Sequence, residues 1–180
     1  IGVFVLESTF RIKEGTKAGV VFGANDARLK DISKNEMQIE GENDIRFVLN
    51  IEKTPAVIEV YRRGYCKEDQ ADVPLYELGT KDLKTERELI TEENRHDFHK
   101  LTIEVEGNGA YTYLDDCIVD EVYVNGSFGG QMRTPRQLNP LGLFDVTTFP
   151  RLCEMGYYVG ADSEAEYQGI RVRNLRKPCA

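Results

Sequence analysis

Residues 44–52 read DIRFVLNIE, and this stretch decides the fold class. Ile45, Phe47, Leu49 and Ile51 fall on one parity, which is the period of a strand with one face buried. The same signature opens the chain. From Val3 to Ile12, residues Phe4, Leu6, Ser8, Phe10 and Ile12 share one side. It returns in Phe98 to Glu106 (FHKLTIEVE), before a Gly107-Asn108-Gly109 turn signal and a further strand, Ala110 to Leu114. Asp115-Asp116 makes the next turn, before Cys117 to Val124. Ala18 to Ala24 (AGVVFGA) is apolar on both faces and reads as a central, covered strand.

The remaining segments follow the same pattern. Ala56 to Arg62 (AVIEVYR) is a strand, and Pro55 suits the connection before it. Tyr157 to Gly160 and Ala165 to Asn174 close the set, with a parity break at Gln168-Gly169 that predicts a bulge. Lys67 to Val73 is a charged loop, and Ser127 to Pro150 is long and irregular. Lys81 to Arg95 has room for one short helix, although its apolar positions are sparse. Many short strands with almost no helical period predict an all-β antiparallel sandwich with long loops and at most one short helix. The 180 residues suffice for a single domain with its own core.

Charge and composition narrow the partners. The formal net charge of −8 argues against nucleic acid and against anionic membranes. There is no apolar run of about 18 residues to span a bilayer. Neutral sugars are compatible with this balance. Cys66, Cys117, Cys153 and Cys179 lack metal-site spacing, and their wide separations point to free thiols in a reducing, cytoplasmic setting rather than a secreted one. The chain opens mid-strand and ends on Lys177-Pro178-Cys179-Ala180, so it reads as a piece of a longer protein.

Three stretches carry a family resemblance. Residues 6–29 (LESTFRIKEGTKAGVVFGANDARL) resemble the start of concanavalin-like jelly rolls attached to glycoside hydrolases. Residues 99–116 (HKLTIEVEGNGAYTYLDD) resemble a hairpin of those domains. Residues 138–178 (LNPLGLFDVTTFPRLCEMGYYVGADSEAEYQGIRVRNLRKP) resemble the loop and final strands that precede the catalytic part of bacterial alpha-L-rhamnosidases. The resemblance implies a non-catalytic accessory domain beside a catalytic (α/α)-barrel in the same chain. It also implies binding of terminal rhamnose through calcium, at an Asp-Asn type pair after the second strand. Here that pair reads Asn25-Asp26.

The residues themselves offer a compatible sugar site. Asn25, Asp26 and Arg28 follow a packed strand and mix donors with acceptors, although an Asx turn would use the same residues. Glu59, Tyr61, Arg62 and Arg63 lie on or just after one strand, where Tyr61 offers a stacking ring and Arg63 a donor, unless this is a plain solvated face. Asp26 is the candidate cation ligand, with Glu7 and Glu166 joining it if the first and last strands bring them together. His96 and His99 have H-x-x-H spacing, which reads as a surface pair more readily than as zinc. Asp115-Asp116 and Asp120-Glu121 read as turn carboxylates before calcium ligands or an acid/base pair. No nucleophile motif is present. Two rivals remain: a structural interdomain module without ligand, and an independent sandwich-fold glycosidase with two carboxylates across a cleft.

Overall fold

The computed structural model describes residues 3–25, 43–63, 72–106, 109–123 and 154–174. Within them the period-two stretches become strands β1 (Val3–Glu14), β2 (Lys17–Asn25), β3 (Asn43–Asn50), β4 (Val57–Arg63) and β5 (Tyr76–Gly79). They continue with β6 (His99–Glu106), β7 (Gly109–Leu114), β8 (Cys117–Tyr123), β9 (Glu154–Val159) and β10 (Glu164–Asn174). The first sheet has the order β10-β1-β6-β7-β8 and the second β5-β4-β3-β2-β9. All neighbouring pairs are antiparallel. The fold is the β-sandwich that alternation predicts.

The inward rows of both sheets meet in one core. Phe4, Leu6, Phe10 and Ile12 of β1 and Leu101, Ile103 and Val105 of β6 face Val20 and Phe22 of β2 and Ile45, Phe47 and Leu49 of β3. Burying each such side chain stabilises the fold by roughly 1.5–3 kcal/mol. Aromatic contacts cross between the sheets, as where Phe4 meets Phe22 edge-on at 5.7 Å. Tyr167 of β10 reaches from the first sheet to the backbone of the second. Its hydroxyl accepts from the Gly19 N–H at 3.1 Å and donates toward the Gly19 carbonyl at 2.6 Å, with the Tyr158 carbonyl 2.7 Å away. Burial is the largest influence on this phenol and pushes its pKa up to about 12.

Turn chemistry fixes the ends. Gly15 has φ +81°, and a Cβ there would lie 2.5 Å from the Asp162 carbonyl oxygen. Beside it, Ser163 Oγ accepts from the backbone N–H groups of Thr16 and Lys17 at 3.1 and 3.3 Å, tying the β1–β2 turn to the β9–β10 turn. The expected bulge is present. The β1–β10 register shifts between Ser8 and Phe10, Gly169 has φ +102°, and Ser8 Oγ donates to its carbonyl at 2.8 Å.

Residues 81–95, which had room for one short helix, form none, within the expected limit of at most one. Asp82 accepts from Lys84 N and Thr85 Oγ1, both at 2.9 Å, and holds a series of turns closed by a Lys81–Glu88 bridge. Only Leu89 and Ile90 of this stretch pack into the core, too narrow a stripe to hold a helix. β5 was not apparent from its short, mixed sequence. β2 is interior but one place from the sheet edge, since β9 flanks it. Cys117 is a free thiol; Cys66, Cys153 and Cys179 lie outside the described residues, as does the 127–150 loop.

Candidate functional site

Because Ile45, Phe47 and Leu49 point inward, Asp44, Arg46, Val48 and Asn50 face outward on β3. Likewise Ile58 and Val60 point inward, so Val57, Glu59, Tyr61 and Arg63 face outward on β4. The β3–β4 register sets Asp44 opposite Arg63, Arg46 opposite Tyr61 and Val48 opposite Glu59. The outer face of the second sheet therefore gathers ionic and aromatic side chains from adjacent strands.

Asp44 is the hub. Its carboxylate accepts from Arg46 Nε at 3.0 Å and Nη2 at 3.2 Å, and from Arg63 Nη2. The Arg46 guanidinium also lies 5.2 Å from the centre of the Tyr158 ring, in cation–π contact. One row along, Glu59 accepts from Asn50 Nδ2 at 3.3 Å and pairs with Lys17 Nζ at 3.1 Å. The Tyr61 phenol is held well above its usual pKa, first by burial and then by the neighbouring Glu59 charge.

The Asp44 and Glu59 side chains are each only 5% exposed, although they lie on an outward face. Burying a carboxylate is costly unless it is paired, and here each is. The pairing has a consequence for binding. A guanidinium carries more N–H groups than one carboxylate can take, so Arg46 keeps a donor for a ligand while Asp44 holds its position. Lys17, Arg46 and Arg63 remain partly open to solvent. The face can donate to hydroxyl and ring oxygens between the rings of Tyr61 and Tyr158.

The residues anticipated from sequence fall in three groups. Tyr61 and Arg63 lie on this face. Asn25 ends β2 opposite Asn43, the neighbour of Asp44, so it reaches the same end of the sheet as Arg63. Asp26 and Arg28 lie outside the described residues. Glu7 and Glu166 do not meet. The register places Glu7 opposite Arg171 and Glu166 opposite Arg11, four residues apart on β1 and about 13 Å along the strand. Each carboxylate has its own guanidinium, Glu7 with Arg171 at 3.6 Å and Glu166 with Arg11 at 3.0 Å. The hydrogen bond from Arg11 holds the Glu166 carboxyl below its ordinary pKa. Among the described residues, no three His, Cys, Asp or Glu side chains cluster to hold a metal.

The histidine pair also needs correction. His96 is exposed and contacts the Ile12 carbonyl, but His99 is buried. Its Nδ1 lies 2.6 Å from Asp115 Oδ2 and its Nε2 lies 2.7 Å from the Asn94 carbonyl. Both partners are acceptors, so the geometry favours the doubly protonated ring. Burial is the largest influence and lowers its pKa, but the Asp115 carboxylate and the Asn94 carbonyl together leave it raised. Asp115 also accepts from Lys100 N at 2.8 Å, so it is a structural anchor as well as a turn residue.

Asp44, Arg46 and Tyr158 were missed, whereas Glu59 was already grouped with Tyr61 and Arg63. Asp44 and Arg46 alternate with buried Ile45 and Phe47, which is a legible sign of outward charge. Their convergence with Arg63 and Tyr158 depends on register.

No protein-family model matches the chain, and no curated protein matches it. Solved structures do. A carbohydrate binding module, CBM66, from Bacillus subtilis aligns with 97% of this chain and 76% of its own, at 15% identity and TM-score 0.54. A protein from Parabacteroides distasonis assigned as a glycosyl hydrolase aligns with 96% of this chain and 78% of its own, at 15% identity and TM-score 0.40. At such identity the likeness to the first is one of fold.

Proposed function

We propose that this domain binds carbohydrate without catalysis of its own, on the outer face of the second sheet. One observation carries the reading. Asp44 clamps Arg46 and Arg63 on an open sheet face, with Arg46 set against Tyr158 and Tyr61 beside it. Donors and rings held in place before binding lower the ordering cost that weak sugar ligands cannot otherwise offset. The shared fold with a protein named a carbohydrate binding module supports the same reading. Asp44 and Glu59 are each closed by cations of this chain, which suits a binding role better than acid/base work.

The finer reading rests on the sequence resemblance. The domain belongs beside the catalytic barrel of an alpha-L-rhamnosidase-like enzyme and takes terminal rhamnose. Asn25, Asp26 and Arg28 extend the site from the end of β2, with calcium on Asp26. The test is calorimetric or NMR titration with L-rhamnose, with and without calcium. Affinity should be on the order of millimolar. Tyr61→Ala and Arg63→Met should each weaken it about tenfold. Calcium dependence lost in Asp26→Ala would support the cation. If L-rhamnose fails to saturate in either condition, the rhamnose assignment falls. The alternative is then a bracing module whose ionic face docks on a neighbouring domain.

A further inference from the structure

The geometry points to a second neutral-sugar site on the outer face of the first sheet, independent of the face described above. Val5 of β1 points away from the core and belongs to no core cluster, yet it is only 3% exposed. It is the floor of a groove of about 290 Å³, whose walls include Glu7, Thr102, Glu104, Tyr113 and Arg173. That volume is at the low end of small-ligand sites, about 300–1,000 Å³, and fits one or two sugar rings.

The register explains why the groove is open. Val5 is opposite Arg173 on one side and opposite Glu104 on the other. The two charges are thus separated by a whole strand, roughly 10 Å between backbones. The side chains of Glu104 and Arg173 enter no ion pair or hydrogen bond among the described residues. One row along, Thr102 lies between Glu7 and Tyr113. The rim charges next to this row are held, Asp116 by Lys100 Nζ at 2.6 Å and Glu7 by Arg171 at 3.6 Å.

The chemistry selects the occupant. Glu7, Glu104 and Asp116 are balanced by Lys100, Arg171 and Arg173, so the rim has no net charge to attract an ionic ligand. A ring with an apolar C–H face and equatorial hydroxyls matches it. The face rests on the Tyr113 ring above the covered Val5, one hydroxyl donates to the Glu104 carboxylate, and another accepts from the Arg173 guanidinium, two side chains without a partner among the described residues. Thr102 can do either.

The experiment is amide NMR of the isotope-labelled chain, titrated separately with L-rhamnose, D-glucose and D-galactose. At least one sugar should move the Thr102, Glu104, Tyr113 and Arg173 signals saturably. Glu104→Gln and Arg173→Met should each weaken that response about tenfold. Tyr61→Ala should leave it intact, which separates this site from the face of the second sheet. The proposal is overturned if none of the three sugars moves those signals saturably. It is equally overturned if both variants titrate like wild type. The wild-type map decides the matter even if a variant fails to fold.

Discussion

Val48 and Val5 occupy matching places on the two sheets. Each points outward, each is buried, and neither belongs to the core. Val48 lies between Gly19 and Glu59, and Val5 between Arg173 and Glu104. Around Val48 the carboxylates are closed by nearby cations, and Asp44 stands directly opposite Arg63 on the next strand. Around Val5 the opposite charges stand two strands apart and are unpaired among the described residues. The difference teaches that similar outward residues make a braced platform or an open groove according to strand spacing. Adjacent strands lie about 5 Å apart and allow pairing, whereas the next-nearest lie about 10 Å apart and leave room for a guest.

The sharpest way to break this comparison is to remove the hub. Asp44→Ala leaves Arg46 and Arg63 without their shared carboxylate on a partly solvated face and should cost about 1.5–3 kcal/mol, measured by urea unfolding. A loss under about 1 kcal/mol would mean that the second sheet is no more braced than the first. Next comes the inter-sheet pin beneath the braced face. Tyr167→Phe leaves the Gly19 N–H and carbonyl without their phenol and should cost about 1–3 kcal/mol. A neutral result would show that the braced face does not depend on the first sheet.

A smaller effect separates the sheets by pH. On the first sheet, His99 has its pKa raised by folding, so its protonated form contributes stability in full below its unfolded value. That contribution is lost as the pH rises from about 6.5 through the folded value. Thermal unfolding between neutral and mildly alkaline pH should therefore show a fall in midpoint that His99→Gln abolishes. A fall that survives His99→Gln would assign the dependence elsewhere. The smallest effect is expected at the open groove. Glu104→Gln should change stability by less than about 0.5 kcal/mol, because the carboxylate has no partner to lose among the described residues. A larger loss would show that Glu104 is braced after all.

Much of the fold was legible along the chain. Alternation through Val3–Ile12, Asp44–Glu52 and Phe98–Glu106 reports which residues face the core, because side-chain direction in a strand has a period of two. The parity slip at Gln168-Gly169 reported the bulge for the same reason. β5 was hidden because Tyr76–Gly79 is too short to show a period. His99 looked like a surface residue because its burial depends on Asp115 and Asn94, which are brought to it by a hairpin and a turn.

The site divides along the same line. Tyr61 and Arg63 could be picked out on one strand as an aromatic and a donor of the same parity. That Glu7 and Glu166 each meet a guanidinium rather than one another was set by the β1–β10 register. The meeting of Asp44 with Arg63, and of Arg46 with Tyr158, needed β3, β4 and β9 arranged in one sheet. Which way a side chain points is a local property of the extended backbone, so the sequence by itself determined it. Which side chain it meets depends on hydrogen-bonded pairing between segments distant in the chain, and only the tertiary structure decided that.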